Sequence, residues 1–159
     1  MKKLTSLWPG TSVVGVTVIL AGASASGAAQ TSFESLNACQ RVPSTIIAAA
    51  LSGRPVDERP VNAKGLTAAR CIYGIEIAGT RHVFVVWVNP ADDFGGLRDA
   101  SAPPISDVKG VGDEAFATAD KETKRVQLTA RLRGKVTVQV TSDRMDWAQA
   151  VARAALSKF

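Results

Sequence analysis

The sequence has few of the residues on which most catalytic and metal sites depend. Among its 159 residues there are one histidine and two cysteines, and aromatic side chains make up only 6%. A single histidine excludes a histidine-rich zinc site, and two cysteines are too few for a disulfide-dense small protein. The remaining composition, 46% hydrophobic and 21% charged, is ordinary for one globular domain. We predict a protein with no resident metal and no cofactor.

Charge of one sign is also scarce. The formal net charge is only +5, and Lys2 and Lys3 at the start of the chain supply two of those positive charges. The later basic residues are not interleaved with aromatic ones, as they are in proteins that stack nucleic-acid bases. We therefore predict no binding to nucleic acid.

Residues 1–29 have the layout of a cleaved secretory signal. The two lysines precede an apolar stretch at Val13–Ala21, and small residues follow it. This stretch is shorter than the ~20 apolar residues that a membrane-spanning helix needs. Cleavage can follow Ala25 or Ala29, and the sequence alone leaves both open. We expect the protein to contact the membrane only transiently, during export.

The two cysteines support the same compartment. Cys39 and Cys71 both follow the predicted signal, and an even count in an exported chain predicts one structural disulfide. Residue 23 is alanine where a lipoprotein signal would place its cysteine, so no lipid anchor is expected. We predict a periplasmic or secreted protein in which residues 30–159 form a single domain.

Hydrophobic periodicity predicts a two-layer α+β domain. A helical pattern covers residues 44–51, and a second runs from Met145 to the C-terminus. Between them, runs rich in β-forming residues, most of them alternating, predict five strands, at 71–78, 82–88, 114–118, 126–133 and 136–141. Residues 54–69 and 89–112 are interrupted by prolines and glycines, and we predict loops there. The expected fold is a five-stranded, mostly antiparallel sheet with both helices on one face.

Several features together resemble a family. They are an early cysteine before a helix, the sequence Cys71-x-Tyr73, the segment G-V-G-D-E-A-F at 110–116 and an alanine-rich final helix. In these the chain resembles small secreted bacterial domains of unknown function, best known as actinobacterial lipoproteins and similar to the extracellular sensor region of some bacterial Ser/Thr kinases. The resemblance covers most of residues 36–159. It implies a binding or sensing module and brings no catalytic residues.

Two further patterns, one typical of nucleotide binding and one of catalysis, support a structural role better than a functional one. Gly110–Ala115 fits the spacing G-x-G-x-x-A of dinucleotide-binding loops, but no strand precedes it and two acids follow its second glycine. We predict a tight turn with positive φ instead. His82, the single histidine, would have to serve any small hydrolase; we predict a structural role for it.

The remaining polar residues suggest a surface for binding. The alternation of the last two strands places polar side chains on one sheet face, at Gln127, Thr129, Arg131, Arg133, Thr137 and Gln139. Acidic residues gather in or beside the long loop, at Asp92, Asp93, Asp99, Asp113 and Glu114, with a spacing that fits no calcium-binding loop. We predict a non-enzymatic module that binds a small ligand or an extracytoplasmic protein through this face and loop. The alternative is a periplasmic inhibitor or immunity-type protein that binds a secreted enzyme.

Overall fold

The computed structural model describes residues 36–61 and 68–159. The predicted secretory signal at residues 1–29 lies outside these residues. None of the helices in the described ranges is long and apolar enough to cross a membrane. In chain order the elements are α1 (Ala38–Arg41), α2 (Ser44–Ala50), β1 (Arg54–Val61), β2 (Ala69–Ile77), β3 (Thr80–Asn89), α3 (Asp93–Asp99), β4 (Ile105–Asp107), β5 (Glu114–Ala119), β6 (Val126–Leu132), β7 (Val136–Ser142) and α4 (Met145–Leu156).

The strands of residues 36–61 and 68–159 form one antiparallel sheet in the order β1-β2-β3-β7-β6-β5-β4. Because successive side chains of a strand point to opposite sides, each strand contributes to two surfaces. The surface that packs against α1, α2 and α4, here called the helix face, carries the hydrophobic core. We call the opposite surface the outer face. The strand residues of the helix face are apolar and buried, among them Cys71, Tyr73, Phe84, Val86, Leu128, Ala130, Val138 and Val140.

Two contacts attach the N-terminal helices to this core. The predicted disulfide between Cys39 and Cys71 is confirmed, and it joins α1 to β2 with a Cα–Cα distance of 5.2 Å. The buried hydroxyl of Tyr73 donates a hydrogen bond of 2.6 Å to the carbonyl oxygen of Val42. Burial is the main reason that the pKa of Tyr73 is raised far above its ordinary value.

All five predicted strands are present, but the predicted strand count is wrong because the sheet has seven. The segment predicted as a loop over residues 54–69 begins with the edge strand β1, which pairs with β2. An edge strand tolerates Pro55 and Pro60 because one of its two rows of backbone groups needs no partner in the sheet. Nearly every residue of β1 is exposed, so the strand shows no apolar alternation.

The long loop predicted over residues 89–112 contains two further elements, α3 and β4. Its path follows from the topology, because β3 lies inside the sheet and β4 forms its far edge. Four strand spacings separate them, or roughly 19 Å at about 4.8 Å each. The connection crosses this distance on the outer face, where Phe94 of α3 packs edge-on against Phe116 of β5. The two predicted helices, α2 and α4, do share the helix face. The unpredicted helix α3 covers part of the outer face, which was expected to be open.

Candidate functional site

We call residues 90–104, which connect β3 to β4, the crossing segment. This segment and the outer face together border a cleft of about 600 Å³. One wall comes from Leu97 at the end of α3 and from residues 100–104, which follow it. The floor consists of side chains on β5, β6 and β7, namely Thr118, Gln127 and Gln139, and the turn at 119–121 closes one side. Ligand pockets commonly have volumes of about 300–1,000 Å³. The cleft is therefore large enough for a small molecule.

Aromatic and cationic contacts hold the wall of the cleft against the sheet. In addition to the Phe94–Phe116 contact, the guanidinium of Arg98 lies over the Phe116 ring at 5.4 Å from its centroid. Arg98 also forms an ion pair of 2.8 Å with Asp107 on β4. On the other side of α3, Thr137 donates a hydrogen bond to the carbonyl oxygen of Ala91. These contacts attach the segment to the sheet at Ala91, before α3 begins, and at Phe94 and Arg98 within the helix.

The lining of the cleft is mostly neutral. Its uncharged polar groups are the amides of Gln127 and Gln139 and the hydroxyls of Thr118 and Ser101, and the other side chains of the crossing wall are apolar. The Ser101 hydroxyl donates to the carbonyl oxygen of Leu97 at 2.7 Å and keeps its capacity to accept. Side-chain amides both donate and accept hydrogen bonds. The cleft therefore suits a ligand with hydrogen-bonding groups but no net charge.

The turn that borders the cleft contains the two charged lining residues, Asp120 and Lys121. The Asp120 carboxylate accepts hydrogen bonds from the backbone nitrogens of Glu122 and Thr123, at 2.8 and 3.2 Å. These bonds, that from Thr123 first, hold the pKa of Asp120 below its usual value. The Asp120 carboxylate is thus engaged in building the turn.

Of the sheet-face residues predicted from the sequence, the structure places two in the cleft, Gln127 and Gln139. Thr129 and Thr137 share the outer face but are buried under the crossing segment. Thr129 accepts a hydrogen bond of 3.4 Å from the Gln139 amide, so it orients a cleft residue.

The predicted basic and acidic residues are brought together at one end of the outer face. Glu114 bonds to both Arg131, at 2.6 Å, and Arg133. Hydrogen bonds from Arg133 and Arg131 lower the pKa of Glu114. Asp113 accepts a further bond of 2.8 Å from the backbone nitrogen of Arg133. These four residues neutralise one another, and none of them lines the cleft.

The remaining acidic residues predicted for the binding loop lie on α3 and not in the cleft. Asp92 precedes the helix, Asp93 begins it and Asp99 ends it. Within residues 36–61 and 68–159, no group of three or more His, Cys, Asp or Glu side chains is arranged to hold a metal ion.

The segment at 110–116 forms the predicted turn. Gly110 and Gly112 have φ of +74° and +63°, which confirms the expected positive φ. A Cβ on Gly112 would lie 2.5 Å from the carbonyl oxygen of Arg131. Only glycine therefore lets the chain pass this close to β6, where the Asp113 nitrogen donates to the same oxygen.

His82 lies on the helix face, away from the cleft. Its ring contacts Trp147 of α4 edge-on, with centroids 4.6 Å apart. Its Nδ1 atom lies 4.0 Å from a carboxylate oxygen of Asp143, which also faces Arg125 at 3.7 Å.

The sequence did not single out the residues of the cleft wall, 97 and 100–104, or the turn at 119–121. Pro103 and Pro104 signalled irregular backbone but not its position over the sheet. Only the crossing from β3 to β4 places them there.

No family model and no curated protein matches the chain. Among solved structures it is similar to a GTP binding regulator from Thermotoga maritima, with 11% sequence identity and a TM-score of 0.49. That similarity covers 77% of this chain and 89% of the other.

Proposed function

We propose that the protein is a non-enzymatic extracytoplasmic module that binds a small neutral polar ligand in the cleft between the crossing segment and the outer face. The observation that carries this proposal is the neutral cleft of about 600 Å³, floored by Gln127 and Gln139. Both residues belong to the sheet face on which the sequence predicts binding. The wall opposite them belongs to the predicted binding loop.

The location rests on different observations. The disulfide between Cys39 and Cys71 is compatible with an oxidising compartment, and residues 1–29 have the pattern of a secretory signal. The ligand class follows from the lining, because amides and hydroxyls beside alanine and proline suit a molecule with both polar and apolar parts. A saccharide is one such molecule.

Native mass spectrometry of the protein purified gently from the periplasm tests whether a ligand is carried. We expect a non-covalent adduct that persists in 0.5 M salt, because a neutral ligand does not depend on ion pairing. If the purified protein carries no adduct, an NMR titration with neutral mono- and disaccharides and an N-acetyl dipeptide amide is the second test. Shifts at the Gln127 and Gln139 side chains would place the ligand in the cleft.

The matched variants are Gln139→Ala in the cleft and Gln149→Ala on α4, where Gln149 accepts a hydrogen bond from Arg153. We expect at least a tenfold loss of affinity for the first and no change for the second. The proposal would be abandoned if neither adduct nor titration shift were found, or if both variants bound equally well. A co-purified protein in place of a small molecule would favour the inhibitor hypothesis.

A further inference from the structure

A separate cluster on the outer face lies beyond the cleft, where β2 begins and β3 ends. Within residues 36–61 and 68–159, three buried side-chain nitrogens have no hydrogen-bond partner: Arg70 Nε and Asn89 Nδ2 in this cluster, and Arg131 Nε on β6. All three are donors, and strand register places all three on the outer face. Buried polar groups are nearly always hydrogen-bonded. These donors are therefore available to an acceptor from another molecule.

Arg131 differs from the other two, because its charge is already paired. It donates to Glu114 at 2.6 Å, and its guanidinium lies 4.7 Å from the centroid of the Phe94 ring. Phe94 is itself buried between α3 and the sheet. Arg131 thus belongs to the ion network described above, which leaves Arg70 and Asn89.

Arg70 has no acidic partner within ion-pair distance among the described residues. It is the register partner of Trp87 on the neighbouring strand, and its guanidinium lies over the indole at 4.5 Å from the ring centroid. Stacking over a ring orients a guanidinium while its N–H groups stay free at the edge. Arg70 is therefore a positioned, half-buried donor whose charge is unmatched in the described chain.

Asn89 is the next residue after Trp87 on the same face of β3. It is 4% exposed, yet its amide nitrogen lacks an acceptor. On the other side of Trp87, Ile72 and Val85 are register partners and are half-buried. The cluster thus combines a cationic fork, an amide donor and an apolar surface in adjacent positions of two strands.

We propose that Arg70 and Asn89 bind a carboxylate whose apolar body packs on Trp87, Ile72 and Val85. A guanidinium presents two parallel N–H groups to a carboxylate, and the Asn89 amide supplies a third donor. One positive charge matches a carboxylate better than it matches a phosphate dianion. This carboxylate site is distinct from the neutral cleft and does not depend on the function proposed for it.

NMR titration of the full chain with four probes tests the site. The probes are benzoate, its neutral analogue benzamide, N-acetyl-leucine as a mimic of a peptide C-terminus, and inorganic phosphate. The readouts are the Arg70 Nε–H, Asn89 amide and Trp87 indole resonances. We expect saturable shifts with at least one carboxylate and at least tenfold weaker effects with benzamide and phosphate. Binding of N-acetyl-leucine alone would identify a peptide C-terminus, whereas binding of benzoate would identify small carboxylic acids.

Arg70→Met removes the charge but keeps a long side chain against Trp87, and we expect it to abolish the shifts. Arg41→Met is the matched control, because Arg41 stacks in the same way on Phe159, at 5.0 Å, but lies on α1. Arg70→Lys keeps the charge without the fork and is expected to bind at least tenfold more weakly. Equal binding of benzoate and benzamide by the unmodified protein would overturn the proposal, even if no Arg70 variant folded. So would full binding by Arg70→Met, tighter binding of phosphate, or the absence of any shift.

Discussion

Leu128 and Gln127 are neighbours on β6, yet they occupy opposite environments. Leu128 lies on the helix face and is 0% exposed within the hydrophobic core. Gln127 lies on the outer face, half-buried, at the floor of the cleft. The same contrast runs along β3, where buried Val86 alternates with Trp87. One sheet thus carries a continuous apolar core on one side and a mixture of polar, aromatic and apolar side chains on the other. We expect stability to depend mainly on the first side and binding on the second.

The largest test of this division is the pair Leu128→Ala and Gln127→Ala. Deleting a buried leucine side chain costs about 2–5 kcal/mol through lost burial and the cavity that remains. A half-buried glutamine without a hydrogen bond in the described structure is expected to cost under about 0.5 kcal/mol. Urea denaturation measures both free energies of unfolding. Similar losses for the two variants would contradict the division between the faces.

The next largest expected loss of stability comes from removing the disulfide on the helix face. The disulfide between Cys39 and Cys71 closes a loop with a sequence separation of 32 residues. Replacing both cysteines with alanine is expected to lower the free energy of unfolding by about 2–4 kcal/mol. The cleft lies on the other face, so ligand affinity of the folded variant should stay unchanged. A reduced affinity at a temperature where the variant is fully folded would show that the two faces are coupled.

The smallest expected effect is a pH dependence of the free energy of unfolding that comes from a tyrosine on the helix face. Tyr73 is the single tyrosine of the chain, and burial raises its pKa. Because the folded state favours the protonated hydroxyl, its contribution is complete below about pH 10, the unfolded value, and is lost as the pH rises above it. Tyr73→Phe also leaves the Val42 carbonyl without its donor, at about 1–2 kcal/mol near neutral pH.

Urea denaturation of both proteins between pH 7 and 11 checks this expectation. The unmodified protein should lose stability more steeply above pH 10 than Tyr73→Phe does, so that the difference between them shrinks. The absorbance of the ionised tyrosine should rise together with unfolding. A tyrosine that ionises near pH 10 in the folded protein would show that the hydroxyl is accessible to water.

The periodic parts of the sequence were the predictable parts of the fold. Strands such as Val126–Leu132 and Val136–Ser142 alternate because one of their faces enters the core, and the spacing of α4 follows its buried side. The strand β1 could not be found in this way, since it is exposed on both faces and contains two prolines. The short helix α3 contains Gly95 and Gly96, and its contact with Phe116 comes from a strand distant in sequence.

The candidate site likewise has parts that the sequence predicted and parts that it did not. Alternation alone placed Gln127 and Gln139 on a polar face, and the even cysteine count predicted the disulfide. The pairing of Glu114 with Arg131 and Arg133 was not predictable, because it depends on the register between β5 and β6. That register brings these residues, which the sequence placed on two different candidate surfaces, into one intramolecular ion network.

By itself, the sequence determined which side chains share a face, because that depends only on the two-residue period of a strand. The tertiary structure decided which parts of the outer face are covered. The chain must travel from β3 to the far edge at β4, and it passes over the outer face, where Phe94 packs on Phe116. The crossing segment buries Thr129 and Thr137 and forms the cleft beside Gln139. It does not cover Arg70, which stacks on Trp87.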